Sequence, residues 1–228
     1  MLVYIFASLT VAIILFKIVC SRKSSQSSGF VFKCISSLFF CLTGIIAVFT
    51  REFDNNTLPA LILTALMIAM AGDIILTLPF YCKEEYSNLF SAIGGVAFFT
   101  GHILYITAFF INTNFNIYLI PIALIPVLIY CFMIKFKIMS PGKNAPFILG
   151  YSIVLGILLL SVSQNLQDHS IFSYIILPAA LLFILSDTSL FLYNYGNPKL
   201  KSSFTANYLI LLPYYIAQVL FAVSISFV

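Results

Sequence analysis

The stretch LPALILTALMIAMAGDIILTLPFY, residues 58–81, decides the fold. A transmembrane α-helix needs about 20 predominantly apolar residues to cross about 30 Å of hydrocarbon. This run has that length, and it carries one carboxylate, Asp73, about two thirds of the way along. Outward from it, the polar breaks divide the chain into eight comparable segments, 2–20, 31–50, 58–81, 88–111, 117–134, 146–163, 171–195 and 206–228. The connections are short, which predicts one eight-helix integral membrane domain over residues 1–228 with no separate soluble domain.

Composition supports the same class. Of the 228 residues, 62% are hydrophobic and only 8% charged, with a mean hydropathy of +1.10. A soluble domain carries about 25% charged residues, and so few charges cannot cover a water-facing surface. The expected fold is therefore all-α, a polytopic membrane bundle. The first segment lacks a basic flank on its N-terminal side, and no small-residue cleavage site precedes the Ser-rich loop after it, so helix 1 is read as retained. The five cysteines are odd in number and form no CxxC, which favours reduced thiols packing as small apolar residues.

The basic residues set the expected orientation. Lys17, Arg22, Lys23 and Lys33 flank loop 1–2, Lys83 lies in loop 3–4, Lys135, Lys137 and Lys143 in loop 5–6, and Lys199 and Lys201 in loop 7–8; only Arg51 falls on the other side. Short loops rich in Lys and Arg face the cytosol, so both termini are expected outside. The net charge of +4 then reads as a topology signal and an attraction to anionic headgroups, with no case for nucleic acid.

Of the seven acidic residues, Glu52, Asp54, Glu84, Glu85 and Asp168 fall in loops, whereas Asp73 and Asp187 fall inside spans. A charge at mid-bilayer costs on the order of 3 kcal/mol, so such groups usually face protein or water and serve a function. Each Asp lies eight residues before the expected end of its span, roughly 12 Å in at 1.5 Å per residue, which predicts one depth for both. Small or polar residues recur with them: Ala65, Ala69, Asp73 and Thr77 every fourth residue, and Ala180, Asp187 and Asn194 every seventh. The strings GDIILTL and SDTSLFL echo each other, and a 4+4 helix duplication is conceivable.

His102 is the one histidine in a span. Ser91, Gly95, Phe98, His102 and Tyr105 follow a helical spacing that puts them on one face. In the last span Gln218 sits one turn beyond Tyr214, with Tyr215 beside it and Asn207 below; Tyr151 opens span 6, where tyrosines are often interfacial anchors. A catalytic zinc site wants three protein ligands, and His169 is expected on the face opposite the two acids, so no metal and no other cofactor is expected. The residues alone leave an enzyme and a proton-coupled transporter or lipid carrier about equally open.

The successive strings AGDIILTL, FSAIGGVAFFTGHILYI, LLFILSD and PYYIAQ resemble, in order, the signatures of the YhhN-like lysoplasmalogenase family, eight-helix membrane enzymes, over about residues 30–225. The most specific part is Gly72–Asp73 followed 29 residues later by Gly101–His102. The chain departs from the pattern at Cys34, where family members tend to have proline after the lysine, and at Pro178–Ala179, where they tend to have a Gly-Ala pair. The resemblance implies hydrolysis of the vinyl-ether bond of lysoplasmalogens to a fatty aldehyde and a glycerophospho-alcohol, in a bacterial cytoplasmic membrane or the endoplasmic reticulum. On that implication Asp73, Asp187 and His102 are the catalytic candidates. Tyr105, Tyr151, Ser186, Tyr215 and Gln218 are the candidates for holding a lysophospholipid. An ester- or amide-cleaving lipid hydrolase is the nearest alternative.

Overall fold

The computed structural model describes residues 1–20, 26–53, 56–81, 83–111, 113–198 and 205–228. Arg22, Lys23, Asp54, Cys82, Lys199 and Lys201 lie outside the described residues, as do the side chains of Cys20, Glu84 and Asn207. Eight α-helices follow one another among the described residues: α1 Leu2–Cys20, α2 Gln26–Phe49, α3 Thr57–Ile75, α4 Glu84–Phe110, α5 Leu124–Lys135, α6 Ala145–Asn165, α7 Ile171–Tyr195 and α8 Leu212–Ser224. No strand occurs among them, only an isolated antiparallel bridge between Met139 and Gly196. Among the described residues seven segments are long and apolar enough to cross a membrane, and α1 contributes a shorter apolar run, Leu2–Ile18. Their outward faces carry side chains such as Phe16, Val96 and Leu128, all more than half exposed, as lipid rather than water requires.

Three spans differ from their expected form. Residues 58–81 are not one α-helix: α3 ends at Ile75 and the chain continues as a 3-10 turn, Leu78–Phe80. Pro79 disfavours α geometry at the residue before it, and the Thr77 hydroxyl donates to Ile74 O at 2.6 Å and to Asp73 O at 3.3 Å, occupying carbonyls at the helix end. Asp73 therefore sits where the α-helix tightens, not eight residues inside it. The fifth span opens as 3-10 turns, Ile117–Ala123, around Pro121, with Asn116 Oδ1 accepting from the Tyr118 amide at 3.0 Å. The eighth opens as π-helix, Thr205–Leu211, ahead of Pro213, whose missing N–H breaks the regular ladder.

Residue contacts divide the chain into two compact units, Met1–Ala108 with Gln218–Val228, and Phe109–Ala217. In the first unit α2 packs against both α1 and α3. The packed stripe of α1 is Val3, Ala7, Thr10, Ile14 and Lys17, all buried and spaced three or four residues apart. In the second, α6 packs on α5, on the turns before it and on α7, around a core of Tyr130, Met133, Met139, Ile148, Tyr151 and Leu155. Ser170 caps α7 by accepting from the Ser173 amide at 3.2 Å. His169 at φ 47° closes the tight connection from α6.

Candidate functional site

In lipid a hydroxyl must find an acceptor inside the protein, and the cheapest is a carbonyl one turn back on its own helix. Thr10, Ser36, Thr43, Thr64, Thr100, Thr107, Ser152, Ser161 and Ser163 all do this. Against that background the hydroxyls that leave their helix mark the places where the fold holds something.

Ser37 is the first. Its Oγ donates to Asp73 Oδ2 at 2.5 Å, tying α2 to α3. Asp73 is buried, as are Ala65, Ala69, Gly72 and Thr77, so the predicted four-residue stripe is the packed face of α3. Gly72 is small for a visible reason: a Cβ there would stand 2.9 Å from Phe98 Cε2 and 3.4 Å from Ala97 Cβ, so α4 lies directly on the residue before the acid. On α2, Cys41 Sγ donates to Leu66 O at 3.5 Å.

The buried face of α4 carries the rest of this cluster. His102 is 1% exposed and its Nδ1 lies 2.7 Å from Phe98 O. A carbonyl only accepts, so Nδ1 carries hydrogen and the neutral ring keeps its basic lone pair on Nε2. One turn on, the Tyr105 hydroxyl donates to Gln218 Oε1 at 2.7 Å while its ring stacks on Phe221 at 4.3 Å. Gln218 is fully buried, and among the described residues its Nε2 has no acceptor. Its acceptor is thus occupied and a donor is left over. The predicted face is corrected at one end. Ser91 is exposed, because residues 85–93 hold no buried position, and Gly94 rather than Gly95 is the buried glycine.

Asp187 centres the second unit's cluster. It is 8% exposed and accepts from the Tyr151 hydroxyl at 2.8 Å, again on Oδ2. Tyr151 stands in the second turn of α6, buried, and its ring meets Phe191 edge-on at 5.3 Å. It is a partner of the acid rather than only an interfacial anchor. Tyr130 of α5, fully buried, packs on the same Phe191, and its hydroxyl lies 3.1 Å from Thr188 Oγ1. Ser186 gives its hydrogen to Ile210 O at 2.8 Å, in the π-helical stretch before α8. Tyr215 is buried with its ring 4.8 Å from that of Tyr214. Asn194 is exposed, so the seven-residue stripe of α7 stops at Asp187.

The two clusters repeat one design. Each acid lies on the third helix of a set of four, and its hydroxyl donor lies on the helix before it. The sequence separation is 36 residues in both, Ser37 to Asp73 and Tyr151 to Asp187. Ser37, Tyr130 and Lys17 were not singled out from sequence as site residues. The 36-residue interval was the available signal for Ser37, and the buried stripe of α1 was the signal for Lys17.

These features define a multi-pass helical membrane protein with ionisable side chains buried in its spans. The chain belongs to the YhhN family, whose profile matches residues 28–225. No curated protein and no solved structure matches it.

Proposed function

We propose that the protein hydrolyses the vinyl-ether bond of lysoplasmalogens, releasing a fatty aldehyde and glycerophosphoethanolamine or glycerophosphocholine. One observation carries the reading: a chain of the YhhN family buries two carboxyls in its spans, and each accepts a hydrogen bond from a hydroxyl of the preceding helix.

A vinyl ether hydrolyses by slow protonation at carbon, which leaves an oxocarbenium ion. Water adds to that ion, and the hemiacetal collapses to aldehyde and alcohol. Such chemistry needs an acid still protonated near neutral pH, a negative or hydrogen-bonding group beside the developing cation, and a base for the water. One of Asp73 and Asp187 supplies the proton; the other stabilises the cation or activates the water. In whichever acid is protonated, an Oδ2 that accepts from Ser37 or Tyr151 leaves Oδ1 to carry the proton, so the hydroxyl also selects the reactive oxygen. His102, with Nδ1 committed to a carbonyl, orients water or passes the proton through Nε2. The spare Nε2–H of Gln218 suits a glycerol or headgroup oxygen, and Tyr105, Tyr151, Ser186 and Tyr215 complete the contacts to the lipid. The reaction is placed in the membrane, with loops 1–2, 3–4, 5–6 and 7–8 on the cytosolic side.

The deciding measurement is product identity. Purified protein in detergent, given lysoplasmalogen, is expected to release fatty aldehyde and glycerophospho-alcohol in equal amounts, read by mass spectrometry. Fatty acid from acyl lysophospholipid with no aldehyde from the alkenyl lipid would replace this reading with an ester hydrolase. Proton-driven uptake without turnover in detergent would replace it with a transporter.

The hydroxyl donors give a second expectation. Ser37→Ala and Tyr151→Phe each remove one hydrogen bond to a reacting carboxyl, a change expected to lower kcat by about 10- to 100-fold, with KM nearly constant for Ser37→Ala. Unchanged kcat in both variants would remove the hydroxyls from the mechanism.

A further inference from the structure

Asp187, Phe191 and Tyr195 stand four residues apart on α7. They follow one side of the helix from the acid to its last residue, about 12 Å in all. Phe191 is held between tyrosines of two other helices: its ring meets Tyr151 of α6 edge-on at 5.3 Å and Tyr130 of α5 edge-on at 5.9 Å. Both hydroxyls end at the level of the acid. Tyr151 donates to Asp187 Oδ2 at 2.8 Å, and the Tyr130 hydroxyl lies 3.1 Å from Thr188 Oγ1. One turn further on, the Tyr195 ring lies 6.5 Å from that of Phe191 and stacks on it. Tyr130 and Tyr151 are buried, Phe191 and Tyr195 half-buried.

The connection from α5 to α6 fastens this stack at its outer end. Lys137 takes a left-handed backbone, φ 56°, and the amides of Ile138 and Met139 both turn back to Met133 O, at 2.9 and 3.1 Å. Within residues 136–140 only Met139 is buried, and it joins the core around Tyr130 and Tyr151. The connection is pinned to the end of α7 through its backbone, Ser140 N donating to Tyr195 O at 2.8 Å beside the Met139–Gly196 bridge. It is pinned again through a side chain, Asn144 Nδ2 donating to the Tyr195 hydroxyl at 3.1 Å.

We propose that this stack seals the loop end of the second unit, with Phe191 as its central piece, so that Asp187 is reached through the bilayer and not from the water beyond the α5–α6 connection. Packed rings leave no room for a file of waters, and a water among them would find too few polar partners to stay. The ligand class follows from the route: molecules dissolved in the membrane, such as a single-chain lipid, in preference to solutes of the aqueous phase. The inference stands on the packing of α5, α6 and α7 and does not need the hydrolase reading.

Carbodiimides read the route directly, because they modify a carboxyl without any turnover. The full-length protein in lipid nanodiscs, which leave both membrane faces open to water, is treated with membrane-soluble dicyclohexylcarbodiimide or with a water-soluble carbodiimide and an added amine. Mass spectrometry of the peptide containing Asp187 gives the extent of labelling. The membrane-soluble reagent is expected to label Asp187 at least about tenfold more than the water-soluble one. Phe191→Ala is expected to raise labelling by the water-soluble reagent about tenfold and to change labelling by the other by less than about twofold. Phe191→Leu, which refills most of the space, is expected to stay within about threefold of the native protein with both reagents. If Phe191→Ala does not fold, Asn144→Ala, which releases the Tyr195 hydroxyl, is read in the same way with a rise of about fivefold. Equal labelling of the native protein by the two reagents, or no rise in the variant, would overturn the seal. Failure of the membrane-soluble reagent to reach Asp187 would overturn the route through the bilayer. A protein with the expected labelling that released no aldehyde would refute the hydrolase and leave the seal in place.

Discussion

Asp73→Asn and Asp187→Asn are each expected to lower aldehyde release by about a thousandfold or more while the protein still folds. The amide is nearly isosteric, and its oxygen still accepts from Ser37 or Tyr151, so the hydrogen bonds at 2.5 and 2.8 Å have a partner to keep. What it cannot do is give up a proton to carbon or balance a cation. Proton transfer by a positioned acid contributes about 10²–10⁴-fold, and stabilising the oxocarbenium ion adds to this for whichever acid stays ionised. Groups that act as one unit are strongly non-additive, so the double variant is expected to be little worse than either single one. The check is aldehyde release coupled to a dehydrogenase, with thermal unfolding in detergent as the control for folding. Full activity in both single variants would refute the assignment of the two acids.

How far this site is legible in the sequence depends on what each residue needs as context. The four-residue recurrence of Ala65, Ala69, Asp73 and Thr77 is a property of one helix, and it identified a face that is buried throughout. Gly72 beside the acid is equally local, and the Phe98 ring lying on it gives its reason. Ser37 needed two helices. It follows Ser36, and nothing in the pair says which hydroxyl turns back to its own carbonyl and which crosses to α3. From sequence, Tyr151 near the start of a span expected at 146 reads as a possible anchor. A 3-10 turn at Gly142–Asn144 leads into α6, and Tyr151 stands in its second turn, where its hydroxyl donates a hydrogen bond to Asp187. Lys17 counts in the sequence only as a charge near a loop, since a tally of basic residues does not ask which face of the helix they occupy. The Asn194 and Ser91 expectations failed for a related reason: periodicity gives a face, but not the point where that face leaves the packed region.

The same limit governs the second large effect, which concerns stability. Gly150 and Gly156 lie on one helix and look alike in sequence, yet their surroundings differ. A Cβ at Gly150 meets nothing within 4 Å, whereas one at Gly156 runs into the carbonyl of Ala123, at the end of the 3-10 turns before α5. The far end of a flexible side chain could move aside, but a backbone carbonyl two residues beyond Pro121 is held by its own chain. Gly156→Ala must then push α6 off these turns, and overpacking of this kind costs about 1–3 kcal/mol or more. Gly150→Ala removes backbone freedom from the unfolded chain and adds no clash, which is worth about 0.5–1 kcal/mol in the opposite direction. At roughly 2–4 °C per kcal/mol for a chain of this size, the expected result is a melting temperature lowered by roughly 2–12 °C for Gly156→Ala and raised by roughly 1–4 °C for Gly150→Ala. Thermal unfolding of both variants in one detergent at one heating rate reads the difference directly. Equal shifts would mean that the close approach of α6 to Ala123 does not hold the second unit together.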